Sequence, residues 1–171
     1  MTVPGIDTVS GLQAAYPSRV ARLSAVPALQ PGRELVSMRD WPLRSYLELS
    51  AVPKSVHPAR SHARDLLREW CMDGLTDTVE LLVSEIATNA VCASGRVGTA
   101  LPLRFWLTSD RHNVLIQVWD ADQHQPIPQH LGPDAECGRG LLLVETLSTQ
   151  WGCYTPAGAD GKIVWALCAQ S

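Results

Sequence analysis

The chain has 171 residues, of which 46% are hydrophobic and 18% are charged, and its formal net charge is −3. This length favours one domain with a substantial core over two domains, and the composition is typical of a soluble globular protein. The small negative charge gives no electrostatic basis for direct binding to nucleic acid. No apolar run approaches the ~18 residues of a membrane helix, and the amino terminus lacks the pattern of a signal peptide. We therefore expect a cytoplasmic protein that does not bind a membrane.

The cysteines and histidines do not show the spacing of a metal site or of a disulfide framework. The five cysteines are odd in number and never stand in C-x-x-C spacing, and the five histidines form no close ligand pattern. We expect reduced, mostly buried thiols and no metal held by protein side chains alone. The cysteines are Cys71, Cys92, Cys137, Cys153 and Cys168.

Residues 1–40 differ from the rest of the sequence, because prolines are spread among small and polar residues and no periodicity persists. We predict a poorly ordered or loosely docked amino-terminal extension here, followed by a single domain over residues 41–171. Two roles stay open for the extension: a dispensable tail, or a partner-binding arm built on a short helix around Pro17–Val26.

Regular periodicity begins beyond this extension. Alternation predicts a strand over Tyr46–Val52, and apolar residues at helical spacing predict a helix from Val56, or one residue earlier, to Met72. A second helix is predicted to begin with Thr76 as its N-cap and to end within the glycine-containing turn Ser94–Gly98.

The second helix carries a carboxylate and an amide one turn apart, Glu85 and Asn89. Residues four apart lie on one helix face, so both side chains can point at the same ligand. Both fall at the border of the apolar stripe, where the packed face holds them while they still reach a cleft. The stripe consists of Val79, Leu82, Val83, Ile86 and Ala90.

Two strands with alternating apolar residues follow, Leu101–Thr108 and Val114–Asp120. In the second strand, Asp120 continues the row of apolar residues on one face, where an unpaired carboxylate is costly. Two interpretations of Asp120 stay open. It is either a turn-forming aspartate bonded to nearby backbone amides or an acceptor for the amino group of a ligand.

The polar segment Ala121–Cys137 shows no periodicity and is long enough for a lid, a binding loop or a disordered connection. It leads into Gly138, Arg139 and Gly140, and then into a predicted helix over Leu141–Trp151. Glycines at a helix amino terminus let backbone N–H groups approach a phosphate, although they are also frequent there for steric reasons.

Two closing strands are predicted over Gly152–Tyr154 and Lys162–Leu167, joined by the turn Pro156–Gly161. The predicted order is strand, helix, helix, strand, strand, long polar segment, helix, strand, strand. This order indicates an α+β fold, a two-layer sandwich with helices on one face of a mostly antiparallel sheet.

Three sequence blocks follow one another in a set order: Leu82–Val91, Val118–Asp120 with prolines beyond it, and Gly138–Val144. In this order they resemble the GHKL ATPases with the Bergerat fold, and within them the anti-sigma-factor serine kinases of actinobacteria. The closing segment Gly161–Ala166 is also typical of that branch. The resemblance covers residues 46–167, which is nearly everything outside the extension.

The resemblance implies a role for each candidate site residue. Glu85 would be the catalytic base, Asn89 would bind Mg²⁺ through its side-chain oxygen, and Asp120 would accept a hydrogen bond from the adenine amino group. The side chain of Arg139 either offsets phosphate charge or lies exposed at the helix start. The residues implied to bind the triphosphate of ATP are Gly138, Arg139, Gly140 and Leu141.

The sequence departs from the family pattern at three places. Ala121–His124 stands where the wider superfamily has glycines after the adenine-binding acid. Cys92 and Ala93 replace an Arg-His pair that many close relatives carry. A last-strand threonine that helps to hold adenine in many relatives is either replaced by Lys162 or absent.

The resemblance implies two alternative functions. In the first, an ATP-dependent serine/threonine kinase transfers the γ-phosphoryl group to an anti-sigma antagonist and thereby controls a sigma factor and transcription. In the second, a nucleotide-gated or catalytically silent regulator of the same fold binds proteins without transfer. Retention of Glu85 and Asn89 favours the kinase, and the altered segment after Asp120 favours the regulator. ATP or ADP, Mg²⁺ and a protein partner are implied, and homodimerisation is common in this branch.

Overall fold

The computed structural model describes residues 41–126 and 140–170. The predicted extension over residues 1–40 lies outside the described residues, as do Gly138, Arg139 and most of the segment Ala121–Cys137. No helix within the described ranges is long and apolar enough to cross a membrane. No three His, Cys, Asp or Glu side chains in these ranges are grouped as a metal site requires.

The described part of the chain contains five strands and three α-helices. Short 3₁₀ turns at Pro53–Ser55 and Asp73–Leu75 lead into the first two helices. The type and order of the elements confirm the predicted α+β fold. In chain order they are β1 (Leu43–Leu49), α1 (Val56–Glu69), α2 (Thr76–Val97), β2 (Leu103–Ser109), β3 (Asn113–Asp120), α3 (Gly140–Leu147), β4 (Gln150–Tyr154) and β5 (Lys162–Ala169).

Neighbouring strands of the sheet are antiparallel, in the order β1-β2-β3-β5-β4. The register between β3 and β5 pairs Val118 with Val164 and Asp120 with Lys162. Because successive side chains alternate between the two faces, these four side chains point to the same face of the sheet. The register therefore places the carboxylate of Asp120 directly beside the amine of Lys162.

The helices pack on this same face of the sheet. Val83 and Ile86 of α2 belong to one buried cluster with Phe105 of β2 and Val118 of β3. Burial of each such side chain stabilises the fold by ~1.5–3 kcal/mol. Further contacts join α2 to α1 and to α3. The helix that carries the first candidate residues is thus held from several sides.

β1 lies a few residues earlier than predicted, and α1 begins at Val56 as predicted but ends earlier. β1 is Leu43–Leu49 rather than Tyr46–Val52, because it pairs with the whole length of β2. α1 ends at Glu69 rather than at Met72, since Cys71 has a left-handed backbone with φ of 57° that an α-helix cannot continue.

The ends of two other helices also differ from the prediction. α2 begins at Thr76, its N-cap is Leu75, and the Thr76 hydroxyl has no hydrogen-bond partner among the described residues. The predicted capping is therefore wrong. α3 ends at Leu147 rather than at Trp151, because the N–H of Thr149 donates to a β5 carbonyl at 2.8 Å and draws the chain into the sheet.

One cysteine contradicts the expectation of reduced thiols. Cys92 is disulfide-bonded to a partner outside the described residues, whereas Cys71, Cys153 and Cys168 are free. Cys71 is also exposed rather than buried. An odd number of scattered cysteines carries no local signal for such a bond.

Candidate functional site

α2 carries the first two candidate residues at the border of its packed face, as its periodicity predicts. The stripe residues of α2 are at most 2% exposed, while Glu85 and Asn89 are partly exposed. The helix ends at Gly98, which has a left-handed φ of 68° and donates from its N–H to the Ser94 carbonyl at 3.0 Å. The packed face thus fixes the helix, and the border residues keep access to solvent.

The carboxylate of Glu85 lies against the start of α3. A Cβ atom added at Gly140 would force this carboxylate to turn aside and would lie a tight 3.2 Å from the Cβ of Glu85, so glycine favours the close approach. Burial raises the pKa of Glu85 above its ordinary value of 4.5. No described residue forms a hydrogen bond or an ion pair with the carboxylate. Glu85 is therefore a proton acceptor that nothing in the described ranges neutralises.

Asn89, one helical turn beyond Glu85, is also uncommitted. Its Nδ2 atom is buried and has no hydrogen-bond partner within the described ranges. A buried polar atom without a partner costs about 1–3 kcal/mol, so such atoms are rare in folded proteins and are often associated with a ligand or a function.

Asp120 forms the turn bond that one of its two interpretations predicts, and its second oxygen leaves the ligand interpretation open. It is 1% exposed, and its Oδ1 accepts hydrogen bonds from the backbone N–H of Asp122 at 3.0 Å and from Lys162 Nζ at 2.7 Å. The bond from Asp122 is the expected turn-forming bond. Its Oδ2 is buried and has no hydrogen-bond partner in the described part of the chain, as the ligand interpretation requires. Burial raises the pKa of Asp120, and the hydrogen bond and charge of Lys162 oppose that rise.

Lys162 is a site residue whose contacts the sequence did not reveal. It is 2% exposed, and besides Asp120 its Nζ contacts the backbone carbonyl of Asp122 at 3.0 Å and the Oδ2 of Asp122 at 3.7 Å. One sequence signal existed: alternation along β5 places Lys162 in the same buried row as Val164. A lysine in such a row requires an acidic partner, because fully buried lysines are almost always paired.

Asp122 also belongs to this cluster, although the sequence identified it only as a departure from the family pattern. It is 1% exposed, its Oδ2 accepts a hydrogen bond from Arg96 Nη2 at 3.0 Å, and its Oδ1 lies 2.7 Å from His124 Nδ1. Burial alone would raise the pKa of Asp122, but His124, Arg96 and Lys162 hold it well below its ordinary value of 3.8. The segment that leaves β3 is thus tied to both α2 and β5.

These contacts arrange the candidate residues along α2. Gly140 meets the helix at Glu85, and the turn after β3 meets it at Arg96. The two points are about 16 Å apart on a helix that rises ~1.5 Å per residue. Asn89 lies between them. The candidate residues therefore run along α2 from the contact between Glu85 and Gly140 at one end to the buried Oδ2 of Asp120, which has no partner among the described residues, at the other.

The predicted phosphate-binding residues are described only in part. Gly140 and Leu141 open α3, and Leu141 is 2% exposed, so its backbone rather than its side chain is the part available to a ligand. Gly138 and Arg139 lie outside the described residues, and their phosphate contacts stay a prediction.

A cavity of about 370 Å³ lies elsewhere in the domain. Its walls come from the start of α2, including Thr78, and from the end of β5, including Cys168. None of the predicted site residues lines it. The candidate site is therefore defined by the contacts along α2 and not by this cavity.

Comparison with known proteins identifies the family. The model of the histidine kinase-like ATPase domain matches residues 49–167. The crystal structure of the RsbU and RsbW domains of Rv1364c from Mycobacterium tuberculosis is similar to this chain, with a TM-score of 0.54 and 17% sequence identity, and the match covers 74% of this chain and 32% of that one. At this identity the likeness shows the fold alone. None of the curated proteins matches the sequence. Because the family model covers most of its length, the chain belongs to the histidine kinase-like ATPase domain family.

Proposed function

We propose that this chain binds ATP with Mg²⁺ and transfers the γ-phosphoryl group to a serine or threonine of a protein partner. One observation carries the proposal: the buried Oδ2 of Asp120 has no described partner at one end of the site, and the unneutralised carboxylate of Glu85 lies against Gly140 at the other. An adenine amino group would supply the hydrogen bond that Asp120 lacks. The amino terminus of α3 would favour the negative charge of the phosphates.

Asn89 lies between these two ends and fits a magnesium site that the nucleotide completes. A side-chain amide oxygen is a hard ligand, and Mg²⁺ commonly takes few protein ligands while it keeps waters and binds phosphate oxygens. When bound, the ion would offset the charge that develops on the transferred group.

Glu85 fits the role of the general base. Its carboxylate would accept the proton of the attacking hydroxyl while that oxygen bonds to the γ-phosphorus and the bond to the bridging oxygen of ADP breaks. The products are ADP and a phosphorylated partner. Burial raises the pKa of Glu85, which brings the group closer to neutral pH, where a general base is most effective.

The resemblance to the anti-sigma-factor serine kinases supports the choice of partner. On this basis the phosphoacceptor is an anti-sigma antagonist, a sigma factor is the second partner, and two copies of this chain form a homodimer. A cytoplasmic location follows from the same resemblance.

A second function is favoured by one feature of the structure. Asp122 ties the start of the segment after β3 to Arg96 of α2 and to Lys162 of β5. A lid that opens and closes over a nucleotide requires freedom at its ends, and these bonds restrict one of them. The alternative is therefore a regulator that binds nucleotide and a protein partner without phosphoryl transfer.

Calorimetric titration with ATP, with and without Mg²⁺, tests the binding step. We expect the wild-type protein to bind ATP more tightly with Mg²⁺, and we expect Asn89→Ala to lose this difference. Gln150→Ala, which removes an exposed amide on β4, serves as the control and should behave as the wild type. Absence of binding at millimolar ATP with Mg²⁺ would contradict the proposal.

Incubation with γ-labelled ATP and a protein antagonist separates the two functions. Label on a serine or threonine of the antagonist supports the kinase. Binding of both ATP and the antagonist without any transfer supports the silent regulator.

A further inference from the structure

Three charged side chains are buried where β3 ends and β5 begins. Asp120 and Asp122 are each 1% exposed and Lys162 is 2% exposed. Charges taken out of water are costly and persist only when they are paired and hydrogen-bonded. Here two carboxylates face one buried ammonium, and Arg96 supplies a second positive charge from the end of α2. The charges of this cluster therefore balance without a ligand.

The ammonium of Lys162 is held by the two aspartates. Of its three N–H donors, two form hydrogen bonds, to Asp120 Oδ1 at 2.7 Å and to the Asp122 carbonyl oxygen at 3.0 Å, and Asp122 Oδ2 lies 3.7 Å from Nζ as an ionic partner. Lys162 is thus committed to holding the two aspartates.

The two oxygens of Asp120 consequently differ. Oδ1 accepts hydrogen bonds from Lys162 and from the backbone of Asp122, which fixes the plane of the carboxylate. We propose that Lys162, assisted by Asp122, is a positioning residue for base recognition: it holds Asp120 so that Oδ2 accepts one hydrogen bond from the exocyclic amino group of a 6-aminopurine nucleotide. This inference rests on the proposed binding of ATP.

Lys162 also favours the ionised form of this acceptor. Burial raises the pKa of Asp120, and the hydrogen bond and charge of Lys162 oppose the rise. The other titratable and charged groups around the pair in the described ranges are Asp122, Arg96 of α2 and His124, which both face Asp122, and Cys153 of β4. Burial raises the pKa of the Cys153 thiol to about 11, so that it stays neutral. Without Lys162, Asp120 would be left beside a second carboxylate and would take up a proton at a higher pH.

The arrangement selects for the substituent at C6 of the purine. An amino group there donates to Oδ2 of Asp120, whereas a purine without it leaves a buried acceptor unpaired. Such a loss lowers affinity by about ten- to a hundredfold.

Calorimetric titration with ATP and with purine riboside 5′-triphosphate, which lacks the 6-amino group, tests this role at about pH 6 and about pH 8. Wild-type protein should prefer ATP by about tenfold or more at both pH values. In Lys162→Met this preference should largely disappear, and ATP affinity should fall more at the lower pH because Asp120 becomes protonated. The control is Lys54→Met, which changes the second of the two lysines in the sequence, an exposed one. It should retain the wild-type preference for ATP.

Lys162→Met leaves two buried carboxylates without their ammonium, so folding is checked by circular dichroism. The double variant Lys162→Met/Asp122→Asn removes one of these carboxylates and keeps the test valid if the single variant unfolds. It should fold and should show the same loss of preference, with a pH dependence in the same direction but smaller, because Asp120 no longer lies beside a second carboxylate.

Two outcomes would contradict the positioning role of Lys162 without contradicting the proposed binding of ATP. One is equal weakening of both nucleotides at both pH values, as expected of a merely structural lysine. The other is a wild-type preference retained in the Lys162 variants. If wild-type protein binds neither nucleotide, the proposed function itself fails and this inference fails with it.

Discussion

The two ends of the candidate site are built in opposite ways. At Glu85 and Asn89 the polar groups have no partner among the described residues, and burial raises the pKa of Glu85. At the other end Asp122 and Lys162 are more deeply buried, yet each faces an opposite charge, and among the described carboxylate oxygens of this cluster only the Oδ2 of Asp120 lacks a hydrogen bond. On the proposed function, the first end keeps groups available for chemistry, whereas the second uses a charge cluster to fix one recognition atom.

Glu85→Gln should give the largest effect, because it removes the proton acceptor without changing the size of the side chain. We expect phosphoryl transfer to fall by about a hundred- to ten-thousandfold. The wild-type rate should rise with pH through a midpoint above 4.5, because the base acts when deprotonated and burial raises its pKa. Initial rates with γ-labelled ATP measure both effects. Glu145→Gln, an exposed change on α3, should keep the wild-type rate.

Gly140→Ala tests whether the close contact between α3 and Glu85 is necessary. The added methyl group would force the flexible Glu85 carboxylate to turn aside and would lie 3.2 Å from the Glu85 Cβ, a tight contact that requires a small shift. We expect a loss of about 1 kcal/mol in the free energy of unfolding. Urea denaturation measures it. Gly95→Ala on α2 is the matched control, since nothing lies within 4 Å of the added atom and the change should be neutral or stabilising. Similar effects of the two changes would contradict the contact.

Asp122→Asn should give the smallest effect, about 1 kcal/mol in unfolding free energy near neutral pH, because its hydrogen-bond partners Arg96 and His124 are largely exposed and screened, and its buried partner Lys162 lies 3.7 Å away and keeps its bond to Asp120. The folded protein holds the pKa of Asp122 below its ordinary value of 3.8. The contribution is therefore fully present above that value and is lost as pH falls below it. Urea denaturation at about pH 7 and about pH 3 should show the difference between variant and wild type shrinking in acid. A difference that persists unchanged in acid would contradict an electrostatic origin.

The sequence alone predicts how the residues are placed at the end of the candidate site that lies on α2. Glu85 and Asn89 fall together because spacing along a helix is local and the apolar stripe sets the buried face. The fold class was predictable for a similar reason, since the order of strands and helices restricts how the layers can stack.

Local sequence patterns could not predict the charge cluster formed by Asp120, Asp122 and Lys162. The partners Asp120 and Lys162 are 42 residues apart in sequence, and only the register of β3 against β5 places them side by side. The early end of α3 has the same origin, because a hydrogen bond from Thr149 to a distant strand competes with the helix. Contacts between segments that are distant in sequence therefore determine both the charge cluster and the end of α3.

The central claim is that Asp120 recognises the base of ATP whereas Glu85 acts in phosphoryl transfer. Measuring the ATP affinity of Asp120→Asn and of Glu85→Gln under the same conditions tests this claim most directly. Asp120→Asn should weaken binding by about 1–3 kcal/mol, because an amide is a poorer acceptor and can present an N–H to the adenine amino group. Glu85→Gln should bind ATP as the wild type does, and so should Asp73→Asn, an exposed control before the start of α2. An equal loss of affinity in the Asp120 and Glu85 variants would contradict the division of roles.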